Sequence, residues 1–543
     1  MKRCFALLAG SLALAGCSDS KPVTVDVTPN PLRVLTCTIE PFQATVTGAT
    51  DTTVAWTVDP ASGAGTIDAT GSYSSPAVPP SPPMVSIVAT SHADAKQSGR
   101  AALTLATAFP GAPTTIADAT GISGSPGAGV YLHTVAAQGR RVYAAWPDNP
   151  AGSSSVGLKV ARSDDSGATW QPSVSAISVT LQAATTSDGG IECPAIAIDA
   201  GDPDTVYAVA RVNVENNDSM PLDANASGPQ TILFAVSTDA GVTWTTSVLH
   251  VGSGGGVCAD VASPVSGAVT VVAPGWANCG RDMFVWSDNA RGAGFATGSS
   301  TIAPVEYFAG GYTGALDDLV GDPQCTAAHL FVESGGGTDA AGGTTESPRL
   351  FADPAGDLCV VYVGDVNGGA GSNVKVVHSY IQCSADLGQT FSAPLALDPS
   401  SATAPSTASG AAKPTGGSGV IWTTGAPGDL FVATSADGAA FGAPVRAPVY
   451  TFPGQSAPAI ALNPTMAYDF AGILWIAYRA SDGGAQSAIV VDKSCDDGTT
   501  WSGAVAASTA AAQRWPVLSL VPAFAPRLTV WDSDHLATFT LAP

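Results

Sequence analysis

The sequence is poor in positive charge and has no long apolar run after its first residues. Only 21 of its 543 residues are Lys or Arg, against 44 Asp or Glu, so the formal net charge is −23 at pH 7. A chain this acidic repels phosphate backbones, which argues against nucleic acid as a partner. Charged residues reach only 12%, while 60 Gly, 40 Pro and the lack of a long amphipathic helical pattern favour short strands joined by turns.

The common catalytic and metal-binding signatures are also absent. There is no G-x-S-x-G, no H-E-x-x-H, no phosphate-binding P-loop and no C-x-x-C pair. The run from Trp531 to His535 alternates acidic residues, yet it is short and close to the C-terminus, so a polar hairpin is favoured over a cation site. The sequence therefore indicates neither a cofactor nor a metal.

The first 17 residues have the features of an export signal. Lys2 and Arg3 precede an apolar stretch, residues 5–14, that is too short to span a bilayer. The closing Leu-Ala-Gly-Cys at residues 14–17 resembles the bacterial lipobox, which implies cleavage before Cys17 and acylation of that residue. Ser18 in the next position then implies the outer membrane, with residues 18–22 as a tether. An ordinary signal peptide is the alternative.

One octapeptide pattern, Ser-x-Asp-x-Gly-x-Thr-aromatic, occurs four times, at residues 163–170, 237–244, 384–391 and 494–501. Its acidic residues are Asp165, Asp239, Asp386 and Asp496, and its aromatic residues are Trp170, Trp244, Phe391 and Trp501. The carboxylate can accept backbone N–H groups, the Gly permits a positive φ, and the ring packs the turn onto a sheet. The pattern therefore predicts a structural turn in a repeated unit, and none of these Asp residues is a catalytic candidate.

Two looser copies extend the repeat. Residues 435–441 are one residue short, and residues 287–295 are one residue long with Asn289 in place of the Asp.

With these copies, residues 125–543 resemble the Asp-box or BNR-repeat family, whose best-known members are sialidases. The resemblance implies an all-β fold, a β-propeller of four-stranded blades. Strand patterns give seven blades, with the last blade completed by a strand from residues 114–118. Six blades, as in sialidases, is the alternative.

The preceding region is a separate β-rich unit. Residues 23–106 resemble the bacterial Ig-like domain of the second type (BIG2), through a Trp56 strand, a Gly-x-Ile-Asp stretch at residues 65–68 and a Gly-x-Tyr stretch at residues 71–73. The resemblance implies a β-sandwich that acts as a spacer or as an adhesive module. Residues 107–124, with two prolines near their start, are predicted to be a linker.

Eight cysteines remain after Cys4 and Cys17 are set aside, and an even number in an exported chain favours disulfides. Cys359 and Cys383 lie on consecutive predicted strands of one blade, as do Cys258 and Cys279, so each pair could bridge.

In a propeller, the starts of the first strands and the ends of the second strands line the central funnel. The polar residues at these positions are therefore the candidates for ligand binding. The first group is His133, Glu192, Arg349, Lys413 and Arg514; the second is Asp148, Arg211, Asp365, Arg479, Asp482 and Asp532. Guanidinium groups grip carboxylates through two hydrogen bonds, so the basic members predict an anionic sugar or carboxylate ligand. The alternative is that they pair with the acidic members across the channel.

These patterns predict a lipid-anchored envelope protein whose propeller binds a glycan or a surface protein. A sialidase-like glycoside hydrolase is the second hypothesis, with Asp148 as the acid and Tyr478 or Tyr450 as the nucleophile. Residues 130–134 lack the arginine that sialidases carry on the first blade, which weighs against this hypothesis. A purely structural role in the envelope is a third possibility.

Overall fold

The computed structural model divides the chain into two compact units, residues 1–105 and 106–543. It describes residues 21–116, 133–150, 153, 155–180, 190–213, 230–252, 258–277, 280–297, 301–304, 348–364, 378–393, 395–398, 405–424, 428–438, 440–510, 513–521, 525–532 and 535–542. Among these residues, no helix has the length and hydropathy needed to cross a bilayer.

The N-terminal unit consists of three small antiparallel sheets that share one core. Its strands are β1 (Thr24–Thr28), β2 (Leu32–Leu35), β3 (Ile39–Pro41), β4 (Gln43–Thr47), β5 (Val54–Asp59), β6 (Thr66–Ile67), β7 (Ser72–Ser74), β8 (Met84–Ser91) and β9 (Ser98–Ala106). The sheet orders are β1-β4, β2-β9-β8-β5 and β3-β7-β6. Tyr73 is fully buried and its hydroxyl donates to the carbonyl oxygen of Ala64 at 2.6 Å. The unit is all-β, and its Ig-like assignment stays a prediction.

The second unit contains seven four-stranded antiparallel sheets. It begins with β10 (Thr114–Ile116). Blade 1 is β11 (Thr134–Gln138), β12 (Arg141–Asp148), β13 (Ser155–Ser163) and β14 (Val174–Thr180); blade 2 is β15 (Gly190–Asp199), β16 (Asp202–Asn213), β17 (Gln230–Ser237) and β18 (Thr245–Gly252). Blade 3 is β19 (Asp260–Ala262), β20 (Val269–Ala277), β21 (Gly280–Asp288) and β22 (Thr301–Pro304), with a short helix α1 (Ala293–Thr297).

The remaining blades follow in chain order. Blade 4 is β23 (Arg349–Ala352), β24 (Leu358–Gly364), β25 (His378–Ser384) and β26 (Leu395–Ala396); blade 5 is β27 (Pro405–Ala412), β28 (Ser418–Thr424), β29 (Leu430–Ser435) and β30 (Val445–Ala447). Blade 6 is β31 (Ile460–Tyr468), β32 (Leu474–Ser481), β33 (Ser487–Ser494) and β34 (Val505–Ser508); blade 7 is β35 (Gln513–Ser519), β36 (Arg527–Asp532) and β37 (His535–Phe539), completed by β10.

The blades form a closed ring. The first strand of each blade contacts the first strand of the next, and β35 of blade 7 contacts β11 of blade 1. Strand β10 pairs with β37 through Thr114–Thr538 and Ile116–Leu536, so the unit's first strand completes its last blade. The predicted all-β propeller with seven blades is therefore confirmed. Residues 107–113, which the sequence places in a linker, fall within the propeller unit, and Thr114–Ile116 form the strand that completes its last blade, as the sequence predicts.

Large aromatic side chains fill the spaces between blades. Four tryptophans on the second or third strands of blades 1, 3, 5 and 6 are at most 2% exposed: Trp146, Trp286, Trp422 and Trp475. These strands are covered on both faces, which explains why they are nearly continuous apolar runs. Each blade remains a separate sheet, and its radial arrangement leaves only short, protected strand edges.

The repeated octapeptide, here called the Asp box, forms the turn between third and fourth strands. In the box of blade 2, Asp239 Oδ1 accepts the backbone N–H of Thr243 at 2.8 Å and Asp239 Oδ2 accepts its hydroxyl at 2.6 Å. Ser237 Oγ accepts the N–H of Gly241 at 2.9 Å. The Thr243 hydroxyl and N–H lower the pKa of Asp239 to about 2. The same bonds recur at Asp165, Asp386 and Asp496.

The looser copy in blade 3 differs from its sequence interpretation. Asn289 takes the aligned position of the Asp, but Asp288 supplies the carboxylate: its Oδ2 accepts the N–H groups of Ala290 and Gly292 at 2.9 and 2.7 Å. Phe295 packs edge-on against Phe234 of blade 2. The extra residue shifts the acceptor by one position and keeps the turn.

Candidate functional site

The first strands of all seven blades line a central channel with a cavity of about 190 Å³. Polar groups reach it from several blades, including His133, Asp260, Arg349, Ser409 and Asn463. Since strands within a blade alternate in direction, starts of first strands and ends of second strands lie on one face, here called the funnel face. The Asp boxes follow third strands and therefore lie on the opposite face.

Asp260 and Arg349 form an ion pair between blades 3 and 4. Arg349 Nη1 lies 3.8 Å from Asp260 Oδ2, and the same oxygen accepts the N–H of Leu350 at 2.8 Å. Burial raises the pKa of Asp260, while Arg349 and two backbone N–H groups act in the opposite direction. The arginine therefore offsets only part of the effect of burial on this carboxylate. Asp260 was not among the residues that the sequence suggested.

His133 is the most enclosed titratable group of the channel. Its side chain is 1% exposed, and neither ring nitrogen has a hydrogen-bond partner of good geometry within the described part of the chain. Burial lowers the pKa of His133 to about 4; the nearby backbone of Thr529 opposes this change and Arg349 reinforces it. The imidazole is therefore neutral at pH 7.

Glu192 and Arg211 pair within blade 2. They stand opposite each other on β15 and β16, and Arg211 Nη2 donates to Glu192 Oε2 at 2.6 Å. The Arg211 side chain is only 9% exposed. Burial lowers its pKa and Glu192 opposes that change. This arginine is engaged by its own blade, as the pairing alternative predicts.

Arg479 and Arg514 lie on strands β32 and β35, which contact each other where blades 6 and 7 meet. Arg479 is near the end of β32 in blade 6, and Arg514 is the second residue of β35 in blade 7. Burial and then the charge of Arg514 lower the pKa of Arg479. Arg479 Nε donates to Ser487 Oγ at 3.0 Å, whereas Arg514 Nε has no described partner. No carboxylate of the described ranges lies within 4.0 Å of either guanidinium.

The residues suggested for hydrolysis have other contacts. Asp148 ends β12 and lies 3.2 Å from Lys159 Nζ on the neighbouring strand. Tyr478 is fully buried, and its hydroxyl accepts the N–H of Tyr450 at 2.8 Å. Burial raises the pKa of Tyr478, which opposes its use as a nucleophile.

Three further candidates have structural roles or lie elsewhere. Lys413 follows the end of β27, so it lies on the Asp-box face, where its Nζ contacts Asp497 Oδ2 at 2.5 Å; its assignment to the funnel is wrong. Asp482 Oδ1 accepts the N–H groups of Gly484 and Gln486, and Asp532 accepts from Gln513 at 2.7 Å. Asp365 lies outside the described residues, as do Cys17 and Cys279. No cluster of three His, Cys, Asp or Glu suited to a metal is present in the parts that are described.

A backbone feature at the funnel face recurs in three blades. Cys193, Asn463 and Trp515 have positive φ angles of 49°, 50° and 47°, and each precedes a proline in a first strand. The register of the sheet slips at each of these places. A proline within a strand pattern indicates such a bulge, so these three bulges could have been predicted from the sequence.

Two disulfides that join described residues fasten the ring. Cys193 bonds to Cys258, which joins the start of blade 2 to blade 3 two residues before Asp260. The predicted pair Cys258–Cys279 is therefore wrong, because the bridge links neighbouring blades rather than consecutive strands of one blade. Cys359 and Cys383 face each other on β24 and β25 and are bonded, as their strand positions predict.

Comparison with solved structures gives low similarity over long ranges. A Hadza microbial sialidase has 13% identity and a TM-score of 0.41, covering 87% of this chain and 75% of that one. An α-L-arabinanase of Penicillium chrysogenum complexed with arabinobiose has 12% identity and a TM-score of 0.41, covering 79% of this chain and 98% of that one. The intramolecular trans-sialidase of Ruminococcus gnavus has 11% identity and a TM-score of 0.39, covering 68% and 94%.

No protein-family model matches the chain, and no curated protein is similar to it in sequence. The blade count and the site therefore rest on the strand pairing and contacts of this chain itself.

Proposed function

We propose that the propeller is a binding module that holds an anionic group, the carboxylate of an extracellular glycan or surface protein, on its funnel face. The observation that carries this proposal is that Arg479 and Arg514 lie on contacting strands of neighbouring blades, that the charge of one acts on the other, and that neither has a described carboxylate partner. Two neighbouring guanidinium charges repel each other, and a bound anion offsets that repulsion. Their planar donors match the two oxygens of a carboxylate.

The other basic candidates of the funnel are already neutralised. Arg211 is bonded to Glu192 and Arg349 is paired with Asp260. In a protein with a net charge of −23, an arginine pair of this kind provides local attraction for an anion that the rest of the surface repels. The proposed site therefore contains only Arg479 and Arg514 of the five basic residues that the sequence suggests.

A sialidase-like glycoside hydrolase has weaker support. Its expected acid, Asp148, is paired with Lys159, and its candidate nucleophile Tyr478 is buried and hydrogen-bonded to the backbone. We infer that recognition rather than turnover is the activity of the funnel face.

We also propose that acylated Cys17 anchors the chain in the outer membrane and that the N-terminal unit acts as a spacer. Substitution Cys17→Ser should abolish labelling of the protein by a clickable palmitate analogue in growing cells. Labelling that persists in this variant would contradict the anchor.

A glycan array that includes sialylated, uronate-bearing and neutral glycans tests the binding function with the full chain carrying Cys17→Ser. We expect retention of carboxylated glycans, lost in Arg479→Ala and in Arg514→Ala and unchanged in Arg140→Ala. Arg140 is an exposed arginine in the turn between β11 and β12, on the opposite face, which makes it a matched control. Retention that does not depend on Arg479 and Arg514 would refute the site.

A fluorogenic sialoside separates recognition from hydrolysis. Under the proposed function the full chain releases no fluorophore. Turnover that Asp148→Asn abolishes would establish the hydrolase instead.

A further inference from the structure

A second cavity, of about 450 Å³, lies between blades 4 and 5 on the Asp-box face. Its walls include Phe351, Ile381, Leu395 and Phe441, and the disulfide Cys359–Cys383 forms part of its lining. Here it is called the interblade cavity. It belongs to the face opposite Arg479 and Arg514 and does not depend on the function proposed for them.

The shortened Asp box of blade 5 explains why this cavity exists. In the intact boxes the Gly packs against the preceding blade: a Cβ at Gly388 would lie 2.5 Å from Ser287 Oγ, and one at Gly167 would lie 2.9 Å from Arg527 Cδ. A Cβ at Gly438, the equivalent position of blade 5, would have no described atom within 4 Å. The shortened turn meets blade 4 through its backbone, with Gly438 O 3.7 Å from Cys383 Sγ, and leaves open space beside the Gly438 Cα.

Carboxylates line the apolar cavity. Asp353 and Asp357 lie in the turn between β23 and β24, and Asp437 lies in the shortened box. Asp353 Oδ1 accepts two N–H groups of its own turn at 2.9 Å. Neither Asp353 nor Asp357 has a Lys or Arg nitrogen within 4.0 Å among the residues that the structure describes. The negative charge of these two residues is therefore available to a ligand.

We propose that the interblade cavity binds a small organic cation with an aromatic or branched apolar body. The volume lies within the range of small-molecule sites. The side chains of Phe351 and Phe441 provide apolar surface and ring faces for a cation, and the carboxylates provide the opposite charge. A bare metal ion would gain nothing from the apolar walls, and an anion would be repelled.

Titration of the full chain carrying Cys17→Ser with three matched probes tests the charge requirement. The probes are 2-phenylethylammonium, the neutral 2-phenylethanol and the anionic 3-phenylpropanoate, with binding followed by calorimetry and saturation-transfer NMR. We expect the cation to bind about tenfold more tightly than the alcohol and the anion not to bind. Equal binding of cation and alcohol, or no binding of the cation at millimolar concentration, would overturn the proposal.

Variants locate the site. Ala385 is exposed and lines the cavity, so Ala385→Trp should fill the entrance and reduce the affinity for the cation by about tenfold or more. Thr238 has the same position in the intact box of blade 2, and Thr238→Trp should leave the affinity unchanged. Asp357→Asn, which keeps the shape, should weaken binding by about threefold, while the remote Asp94→Asn should not. Binding that survives Ala385→Trp unchanged would place the cation elsewhere and refute the assignment.

Discussion

Asp260 and Arg349 hold opposite charges 3.8 Å apart where the first strands of blades 3 and 4 meet at the central channel. Both side chains are at least four-fifths buried, so the pair is shielded from solvent on most sides. A buried carboxylate that loses its counter-charge is costly, whereas loss of both charges is much less so.

This relationship predicts an asymmetric mutational response. Arg349→Met should lower the free energy of unfolding by about 3 kcal/mol, and the double variant Arg349→Met with Asp260→Asn should recover at least half of that loss. Urea unfolding followed by tryptophan fluorescence measures both. Additive losses would show that the two residues act independently.

His133 predicts a pH dependence in a defined window. Its folded pKa of about 4 lies below its ordinary value of 6.5, so its contribution to stability is present above pH 6.5 and is lost as the pH falls towards 4. His133→Gln should flatten the decline of the urea midpoint between these values. His92→Gln, at an exposed position of the N-terminal unit, is the control and should leave the slope as it is. Identical slopes in all three proteins would contradict the burial of a neutral imidazole.

The Asp boxes predict a second decline in the stability of the fold at lower pH. The folded pKa of Asp239 is about 2 and its ordinary value is 3.8, so the stabilisation is present above 3.8 and is lost as the pH falls through 2. Asp239→Asn should cost about 1.5 kcal/mol at pH 7, because hydrogen bonds to a charged acceptor are stronger than those to a neutral one. The difference from the wild type should shrink below pH 3. A difference that stays constant down to pH 2 would rule out the charge as its source.

Local patterns predicted the fold well because the Asp box is a self-contained turn. Asp239 makes its hydrogen bonds within four residues of sequence, so the pattern alone indicates the turn and the strands beside it. Blade 5 shows the limit of this reasoning. Its first strand, β27, consists mainly of Ala and Ser and has little hydrophobic alternation, so the sequence predicts Lys413 at the start of the strand, whereas it follows the end.

Relationships between blades could not be predicted in the same way. Whether Arg479 lies near Arg514, or Arg349 near Asp260, depends on the closure of the ring and on how far each bulge displaces a first strand. These contacts join residues that are 35 and 89 positions apart in sequence. The periodicity of a helix or strand relates residues within one element and gives no information about residues this far apart.

The connection between blades 2 and 3 predicts a specific disulfide map. Proteolysis of the unreduced, alkylated protein should yield a peptide pair that joins Cys193 to Cys258 and another that joins Cys359 to Cys383. Mass spectrometry before and after reduction identifies both pairs. Recovery of Cys258 linked to Cys279 would restore the pairing expected from consecutive strands and would contradict the bridge between blades.

The bulge before Pro464 predicts a backbone requirement at Asn463. Its φ of 50° lies in the left-handed region, which Gly adopts freely, Asn tolerates and β-branched residues avoid. Asn463→Gly should therefore change the free energy of unfolding by less than about 0.5 kcal/mol, whereas Asn463→Val should lower it by about 2 kcal/mol. Thr465→Val, two residues later and beyond the register shift, is the control for a β-branched side chain on the same strand. Urea unfolding of the three variants checks the order. If Asn463→Val proved as stable as Asn463→Gly, the bulge would not need the left-handed conformation.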